Sequence, residues 1–213
     1  MLHRFFSKRK NTIIQFSPIR SGSTLVYNIL KEVFPEQTVT KAHKITEAQM
    51  TKAQLVCTYR NPVDSIYSSL LFQELAPDVS NIIVQIQHLK ENGLVQLCEL
   101  LTKRKDILTL RYEDFYLDHE LIYNRLEAHF NFKIDDLKRE ELLLKYEVDA
   151  VKKNFTSKYS NAFEYDPNSH WHGNHISNFK GKPGAARTVL GEDQLSFIKT
   201  ELKTYIQILG YSL

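Results

Sequence analysis

Polar and apolar positions switch repeatedly between the strand period and the helix period along this chain. Thr12-Ile13-Ile14-Gln15-Phe16 is a short β-branched and aromatic run of buried-strand length, and it leads into the turn-forming cluster Ser17-Pro18-Ile19-Arg20-Ser21-Gly22-Ser23. Leu25, Val26, Ile29, Leu30, Val33 and Phe34 then recur at helical spacing until Pro35. Thr38 to His43 reads as a second strand, with Thr46 and Gln49 placed as a capping box behind it. Leu55 to Tyr59 is a third strand, and Asn61-Pro62 supplies an N-cap and a first-turn proline for a helix to about Leu75. From Val79 to Arg104 the helical period is continuous, with Ile82, Ile83, Ile86, Leu89 and Leu97 expected inward. Ile107 to Leu110 is a fourth strand; helices are expected from Asp118 to Phe130, from Asp135 to about Lys153 and from Glu192 to Leu209, where Gly210 stops the last. Between Asn154 and Lys180 the period disappears, which marks a long and functionally suspect loop.

Strands separated by helices imply right-handed βαβ units, so the expectation is an α/β fold: a central parallel sheet with helices on both faces. A chain of 213 residues suits one domain over 1–213, with residues 1–10 a flexible or peripheral N-terminal segment. No stretch approaches the roughly 18 unbroken apolar residues of a membrane span. Two cysteines, Cys57 and Cys98, are too few for a disulfide framework, so a cytoplasmic location is expected. The balance of 28 Lys+Arg against 25 Asp+Glu is too even for a dedicated nucleic-acid binder and permits a local anion site.

Four segments carry candidate chemistry, each at a strand end, where open α/β sheets bind ligands. In the first loop, backbone N–H groups of Ser21, Gly22, Ser23 and Thr24 can converge on an anion at a helix N-terminus. Against the Walker pattern, Gly22 and Thr24 match, while Ser23 stands where the lysine belongs and Arg20 comes earlier. In Tyr59-Arg60-Asn61-Pro62 through Ser68, an arginine fork and a hydroxyl two helical turns on suit a phosphate; taken singly, Arg60 pairing with Asp64 is the favoured reading. In Lys41-Ala42-His43, strand alternation places a lysine and a histidine on one face, a base beside a charge stabiliser. In Arg111-Tyr112-Glu113-Asp114, Tyr112 either stacks on a flat ring or packs in the core.

Taken in order, these segments resemble the sulfotransferases that use 3′-phosphoadenosine-5′-phosphosulfate (PAPS). Ser17 to Thr24 is similar to the family's 5′-phosphosulfate loop, a P-loop-like turn after the first strand, and Arg60 to Ser68 to its 3′-phosphate motif. Lys41-Ala42-His43 resembles the base-bearing segment, Tyr112-Glu113-Asp114 the adenine-side motif, and Lys180-Gly181-Lys182-Pro183-Gly184 the last PAPS loop. The resemblance spans residues 12 to about 190. It implies transfer of a sulfuryl group to an acceptor hydroxyl or amine, with PAP as product and no metal. It further implies His43 as base, Lys41 and Arg20 as stabilisers of the transferring group, and Ser21 to Thr24 on the 5′-phosphate. Arg60, Ser68, Lys180 and Gly181 would hold the 3′-phosphate, and Tyr112 the adenine.

The chain departs from the family at Phe179, which replaces an arginine, so that the 3′-phosphate clamp is either thinner or relies on Arg187, and in lacking tryptophan after both glycine loops. Glu36 is the alternative base. The acceptor could be a small molecule, a carbohydrate or a lipid head. Rival readings are a P-loop-type small-molecule kinase, a catalytically silent nucleotide-binding protein, and a zinc site at His170, His172 and His175.

Overall fold

The structure is a computed structural model describing residues 12–159, 164–176 and 179–213. Residues 1–10, expected as a peripheral segment, lie outside the described residues. Strands β1 (Thr12–Phe16), β2 (Thr38–Ala42), β3 (Gln54–Tyr59) and β4 (Leu108–Arg111) form one parallel sheet in the order β2-β1-β3-β4. Phe16 lies opposite Ala42 on one side and Cys57 on the other, so the three strand ends are level and their loops meet.

Strand alternation sorts the core into two clusters, one on each face. Ile14, Phe16, Leu55 and Cys57 face α3 (Pro62–Phe72), α4 (Val79–Leu89), α5 (Val95–Lys103), α10 (Ala186–Val189), α11 (Glu192–Glu201) and α12 (Lys203–Ile208). Ile13, Val56, Leu108 and Leu110 face α1 (Ser23–Val33), α6 (Tyr112–Phe115), α7 (His119–Phe130), α8 (Asp136–Tyr146) and α9 (Val148–Asn154). A short α2 (Glu47–Lys52) begins at the expected Thr46–Gln49 capping box. The Asn61 side chain accepts from Val63 N at 3.0 Å and caps α3, a contact of the kind that contributes about 1 kcal/mol.

β1 connects through α1 to β2 on one side, and β3 connects through α3–α5 to β4 on the other. The connections leave the adjacent ends of β1 and β3 in opposite directions, along opposite faces. That is a topological switch point, and the crevice it opens receives the loops after β1 and β3.

Three expected helices are broken. The run from Val79 to Arg104 is interrupted at Asn92 and Gly93, where Gly93 has φ +108°. The break brings the Asn92 carbonyl to Ile19 N at 3.2 Å and lays Gly93 on the loop after β1. A Cβ at Gly93 would stand 2.6 Å from the Ser17 carbonyl oxygen and 2.9 Å from Pro18 Cα. The helix expected over 135–153 divides at Glu147, whose extended backbone (ψ 142°) separates α8 from α9. The last helix divides at Leu202, a fully buried residue between α11 and α12. Ile83, expected inward, is 50% exposed, because its neighbour Ile82 already occupies the buried face. Within the long aperiodic segment, the described residues hold short turns at Thr156–Lys158 and Gly173–His175 and a bridge between Tyr165 and His172.

Gly93→Ala puts a methyl group against fixed backbone at a left-handed φ. It should destabilise the fold by roughly 2–4 kcal/mol in a denaturant titration, whereas an ordinary helical glycine gains from alanine. A change below about 0.5 kcal/mol would show that the break relaxes and does not brace the loop.

Candidate active site

The loop after β1 is held from below by a chain of buried polar groups. Gln15 Nε2 donates to Thr58 Oγ1 at 3.0 Å, Thr58 Oγ1 lies 3.1 Å from Ser21 Oγ, and Ser21 Oγ donates to the Pro18 carbonyl at 2.7 Å. Because the Ser21 hydrogen is committed to Pro18, Thr58 is the donor in the middle link. Ser17 N donates to the Ala42 carbonyl at 3.2 Å, which ties the loop to β2 as well. Gly22 follows with φ +78°, and a Cβ there would be 2.7 Å from the Tyr112 ring and 2.9 Å from Phe115. α1 thus starts directly on the aromatic floor supplied by the segment after β4. Its first turn holds no acidic residue and no side-chain cap, so its dipole and N–H groups are open to an anion.

A cavity of about 250 Å³ lies over this loop; it is lined by Arg20, Lys41, His43, Arg60, Ser68, Tyr112, Lys180 and Gly181, together with Ser21 to Thr24. The residues singled out from the five matching segments for the donor site therefore line one cleft, Arg187 excepted. No aspartate or glutamate does so among the described residues. Lys41 Nζ donates to Thr24 Oγ1 at 2.7 Å, and Arg20 Nε donates to Ser68 Oγ at 3.1 Å with its guanidinium 4.7 Å over the Phe72 ring. Arg60 is only 6% exposed and lies 4.4 Å over the Tyr112 ring. One of its terminal nitrogens donates to the carbonyls of Gly181 (3.0 Å) and Lys182 (3.2 Å), while its Nε is buried without a partner.

Packing cations without counter-charges has the expected effect on their protonation. Burial, and then Arg20, pull the Lys41 ammonium down to about 8; burial, and then Arg60, bring Arg20 to about 10. His43 is driven to about 4, first by burial and also by Lys41, against the opposing bond to Ser17. Its Nδ1 lies 2.8 Å from the Ser17 carbonyl, which can only accept, so Nδ1 carries the hydrogen and Nε2 is the bare nitrogen. Burial raises the Tyr112 hydroxyl to about 12, so it stays protonated and donates to the Gly181 carbonyl at 2.9 Å.

Several details differ from the sequence reading. Asp64 does not pair with Arg60: its carboxylate accepts from Gly184 N at 2.7 Å and Ala186 N at 3.1 Å, pinning the end of the last glycine loop. Lys180 contributes backbone to the cleft, its carbonyl accepting from Tyr116 Oη at 3.0 Å, whereas its ammonium turns away to Asp149 at 2.7 Å. Arg187 is exposed on α10 and lines no part of the cleft, so it does not replace the arginine that Phe179 lacks. Phe179 is 40% exposed against Tyr67. Glu36 is exposed in the turn between α1 and β2, outside the cleft.

The three loop histidines do not converge. His170 packs edge-on against Tyr27 at 5.1 Å, while His172 and His175 face each other across 2.9 Å inside the cleft. The loop that carries them is fastened to α1 in a way no sequence motif announces. Asn28 Nδ2 donates to the Ser169 carbonyl at 2.7 Å and Lys31 Nζ to the Asn168 carbonyl at 2.9 Å. Tyr116 and His119 also line the cleft and were not foreseen.

No family model matches this sequence, and no curated protein matches it. Solved structures do match its fold. Mouse sulfotransferase SULT7A1 complexed with PAP superposes with a TM-score of 0.66 at 13% identity, covering 95% of this chain and 87% of that one. Retinol dehydratase with retinol and PAP gives 0.69 at 15% identity, covering 97% and 84%. The same enzyme with androsterone and PAP gives 0.65 at 16%, covering 97% and 83%. The chain has the sulfotransferase fold.

Proposed function

We propose that this protein is a PAPS-dependent sulfotransferase, moving the sulfuryl group to an acceptor hydroxyl or amine and releasing PAP. The observation that carries the reading is the cleft at the switch point, where Arg20, Lys41 and Arg60 surround an open helix N-terminus with no carboxylate among the described lining residues. Such a site is destabilised by its own charge until an anion enters it, and a nucleotide carrying phosphates at two positions suits a cleft with three cations. The buried Arg60 Nε without a partner is one of the donors such an anion would satisfy.

Each group then has one task. N–H groups of Ser21 to Thr24 hold the 5′-phosphate, and Arg60 with Ser68 takes the 3′-phosphate. Gly181 lies over Arg60, and Tyr112 faces the adenine. Lys41 and Arg20 meet the charge that develops on the transferring group and on the phosphate oxygen it leaves. His43, with its hydrogen fixed on Ser17, offers Nε2 to the acceptor proton. Its low proton affinity comes first from burial and then from the neighbouring cations, and an anionic donor would offset the second of these. A P-loop-type kinase fits less well, because Ser23 stands in the lysine position and the Arg60 segment would have no role. The retinol and androsterone in the neighbours belong to those proteins. Among the described residues no helix is long and apolar enough to cross a membrane.

Calorimetric titration with PAP, using ATP and AMP as controls, tests the reading directly. Tight binding of PAP with little response to ATP is expected, and preference for ATP would replace the reading with a kinase. In the same assay Arg60→Ala should weaken PAP by roughly 2–3 kcal/mol, about 30- to 150-fold in Kd. Unchanged affinity would remove Arg60 from the site. His43→Ala should lower kcat by about 10²- to 10⁴-fold with PAP affinity kept; a kcat close to wild type would place the base elsewhere.

Lys41 gives a pH signature. Its ammonium sits at about 8 in the free protein, and a bound anion favours the charged form. Above that pH, PAP binding must therefore take up a proton, and affinity should fall with rising pH. Calorimetry at about pH 9 in two buffers of different ionisation enthalpy reads the uptake, which Lys41→Met should abolish. Proton release, or no exchange at all, would contradict the assignment of Lys41 to the anion site.

A further inference from the structure

Beside the catalytic groups, the cleft contains a hydrogen-bond acceptor that the proposed transfer does not use. His172 and His175, which both line the cleft, stand at the cap and the end of the short turn Gly173–His175, and His172 Nε2 lies 2.9 Å from His175 Nδ1. The two rings are 4.3 Å apart. His172 also packs on Phe72 at 4.8 Å, and His175 sits edge-on to Trp171 at 4.6 Å. The pair is thus fixed by aromatic contacts on both sides. Arg20 donates to the His175 carbonyl at 3.5 Å, which places the pair next to the group assigned to the transferring sulfuryl. The other nitrogen of the inner ring, His172 Nδ1, is buried and has no hydrogen-bond partner among the described residues.

The hydrogen between the rings can be arranged in two ways. If His175 Nδ1–H donates, His172 must bury an unpaired N–H at Nδ1. If His172 Nε2–H donates, Nδ1 holds an unpaired lone pair, which the nearby Arg20 and Lys41 charges favour. The second arrangement costs less, and both rings are neutral because burial and the neighbouring cations depress their proton affinity, that of His172 to about 3. The reacting hydroxyl has one hydrogen, and His43 takes it, so Nδ1 is left for a different donor.

We propose that His172 Nδ1 selects acceptors carrying a second hydroxyl, which donates to it while the first faces His43. This rests on the sulfotransferase reading and names the class of acceptor for it: a diol or polyol, phenolic or alcoholic. A buried group shaped for a substrate hydroxyl rejects the analogue that lacks it far more strongly than an apolar pocket discriminates by size, because binding the analogue leaves the group unpaired. His172 takes no part in breaking or forming the sulfur–oxygen bonds.

Two matched pairs test this, with PAPS as donor: catechol against 2-methylphenol, and trans-1,2-cyclohexanediol against cyclohexanol. In one pair at least, kcat/KM should favour the diol by 100-fold or more, and the pair used identifies the phenolic or alcoholic class. His172→Phe and His172→Gln, which supply no group at the Nδ1 position, should reduce that preference to under fivefold with PAP Kd changed less than twofold. His172→Asn, whose amide reaches that position, should keep part of it. Equal use of diol and monohydroxy acceptor, or a preference surviving His172→Phe, overturns the inference while leaving the sulfotransferase reading intact. Loss of PAP affinity in the variants overturns it too, since the ring would then be a prop for the donor loop. Failure of the wild-type protein to bind PAP or consume PAPS rejects the reading beneath it. Nitrogen-15 spectra of the histidine-labelled PAP complex decide independently of any acceptor. His172 Nδ1 should resonate as an unprotonated imidazole nitrogen, and a protonated Nδ1 overturns the inference.

Discussion

The hydrogen-bonded column from Gln15 through Thr58 and Ser21 to the Pro18 carbonyl is the constraint on which the rest of the cleft depends. It joins two parallel strands at the point where their connections diverge, and it does so with side chains fully removed from water. A buried polar group is costly when unpaired, and apart from Gln15 Oε1 the side-chain polar atoms of the column are paired, so it permits few alternative loop conformations. Everything assigned to the donor is referenced to that loop. Lys41 reaches it through Thr24, His43 through the Ser17 carbonyl, Tyr112 and Phe115 through the missing Cβ of Gly22, and α4–α5 through the break at Gly93.

Electrostatics follows from this geometry. Three cations are drawn into one buried volume, and the nearest carboxylates are turned to other work. Asp64 holds the backbone at Gly184 and Ala186, and Glu113 accepts from Asn61 N and Tyr211. Asp149 draws the Lys180 ammonium outward. The fold thus spends its acids on positioning the loops and leaves the cleft positive. The histidines facing those cations remain neutral, which is the state a proton acceptor must have before it acts.

The sheet and the donor-side residues were legible because each rests on a local pattern: a β-branched run, a small-residue turn, then a helix. Strand ends and first helical turns are the places where sequence spacing and spatial position coincide, which put Arg20, Lys41, His43, Arg60 and Tyr112 each at a strand end, while their grouping into one site came from the resemblance to the sulfotransferases. What escaped notice depends on backbone atoms or on distant chain. Carbonyls of Asn168, Ser169, Gly181 and Lys182 are acceptors that every residue type possesses, so the grip of Asn28, Lys31 and Arg60 on them has no motif. Helical periodicity likewise ran through Gly93, because the reason for the break, close approach to Ser17 and Pro18, lies about 75 residues earlier in the chain. The pairing of Arg60 with Asp64 was plausible by spacing and lost to two backbone N–H groups more than 100 residues away.

The last glycine loop shows how these parts act as one. It is held at Gly181 and Lys182 by Arg60 and Tyr112, and at Gly184 and Ala186 by Asp64, so Pro183 sits between two anchors of opposite charge. The anchors differ in strength. Asp64 to backbone N–H is a charge-assisted contact that no incoming anion can improve. Arg60 to two carbonyls is a charge-assisted contact that a phosphate would improve, since an anionic acceptor adds the opposite charge and can accept from two nitrogens of the fork at once. An anion in the cleft therefore competes for Arg60 at one end of the loop while the other end stays fixed. The cost of rearranging that end is subtracted from the affinity of any ligand that Arg60 binds. On the proposed reading, Phe179 adds no cationic donor beside this loop, and Arg60, with its orphaned Nε, is the guanidinium for which the phosphate and the two carbonyls compete.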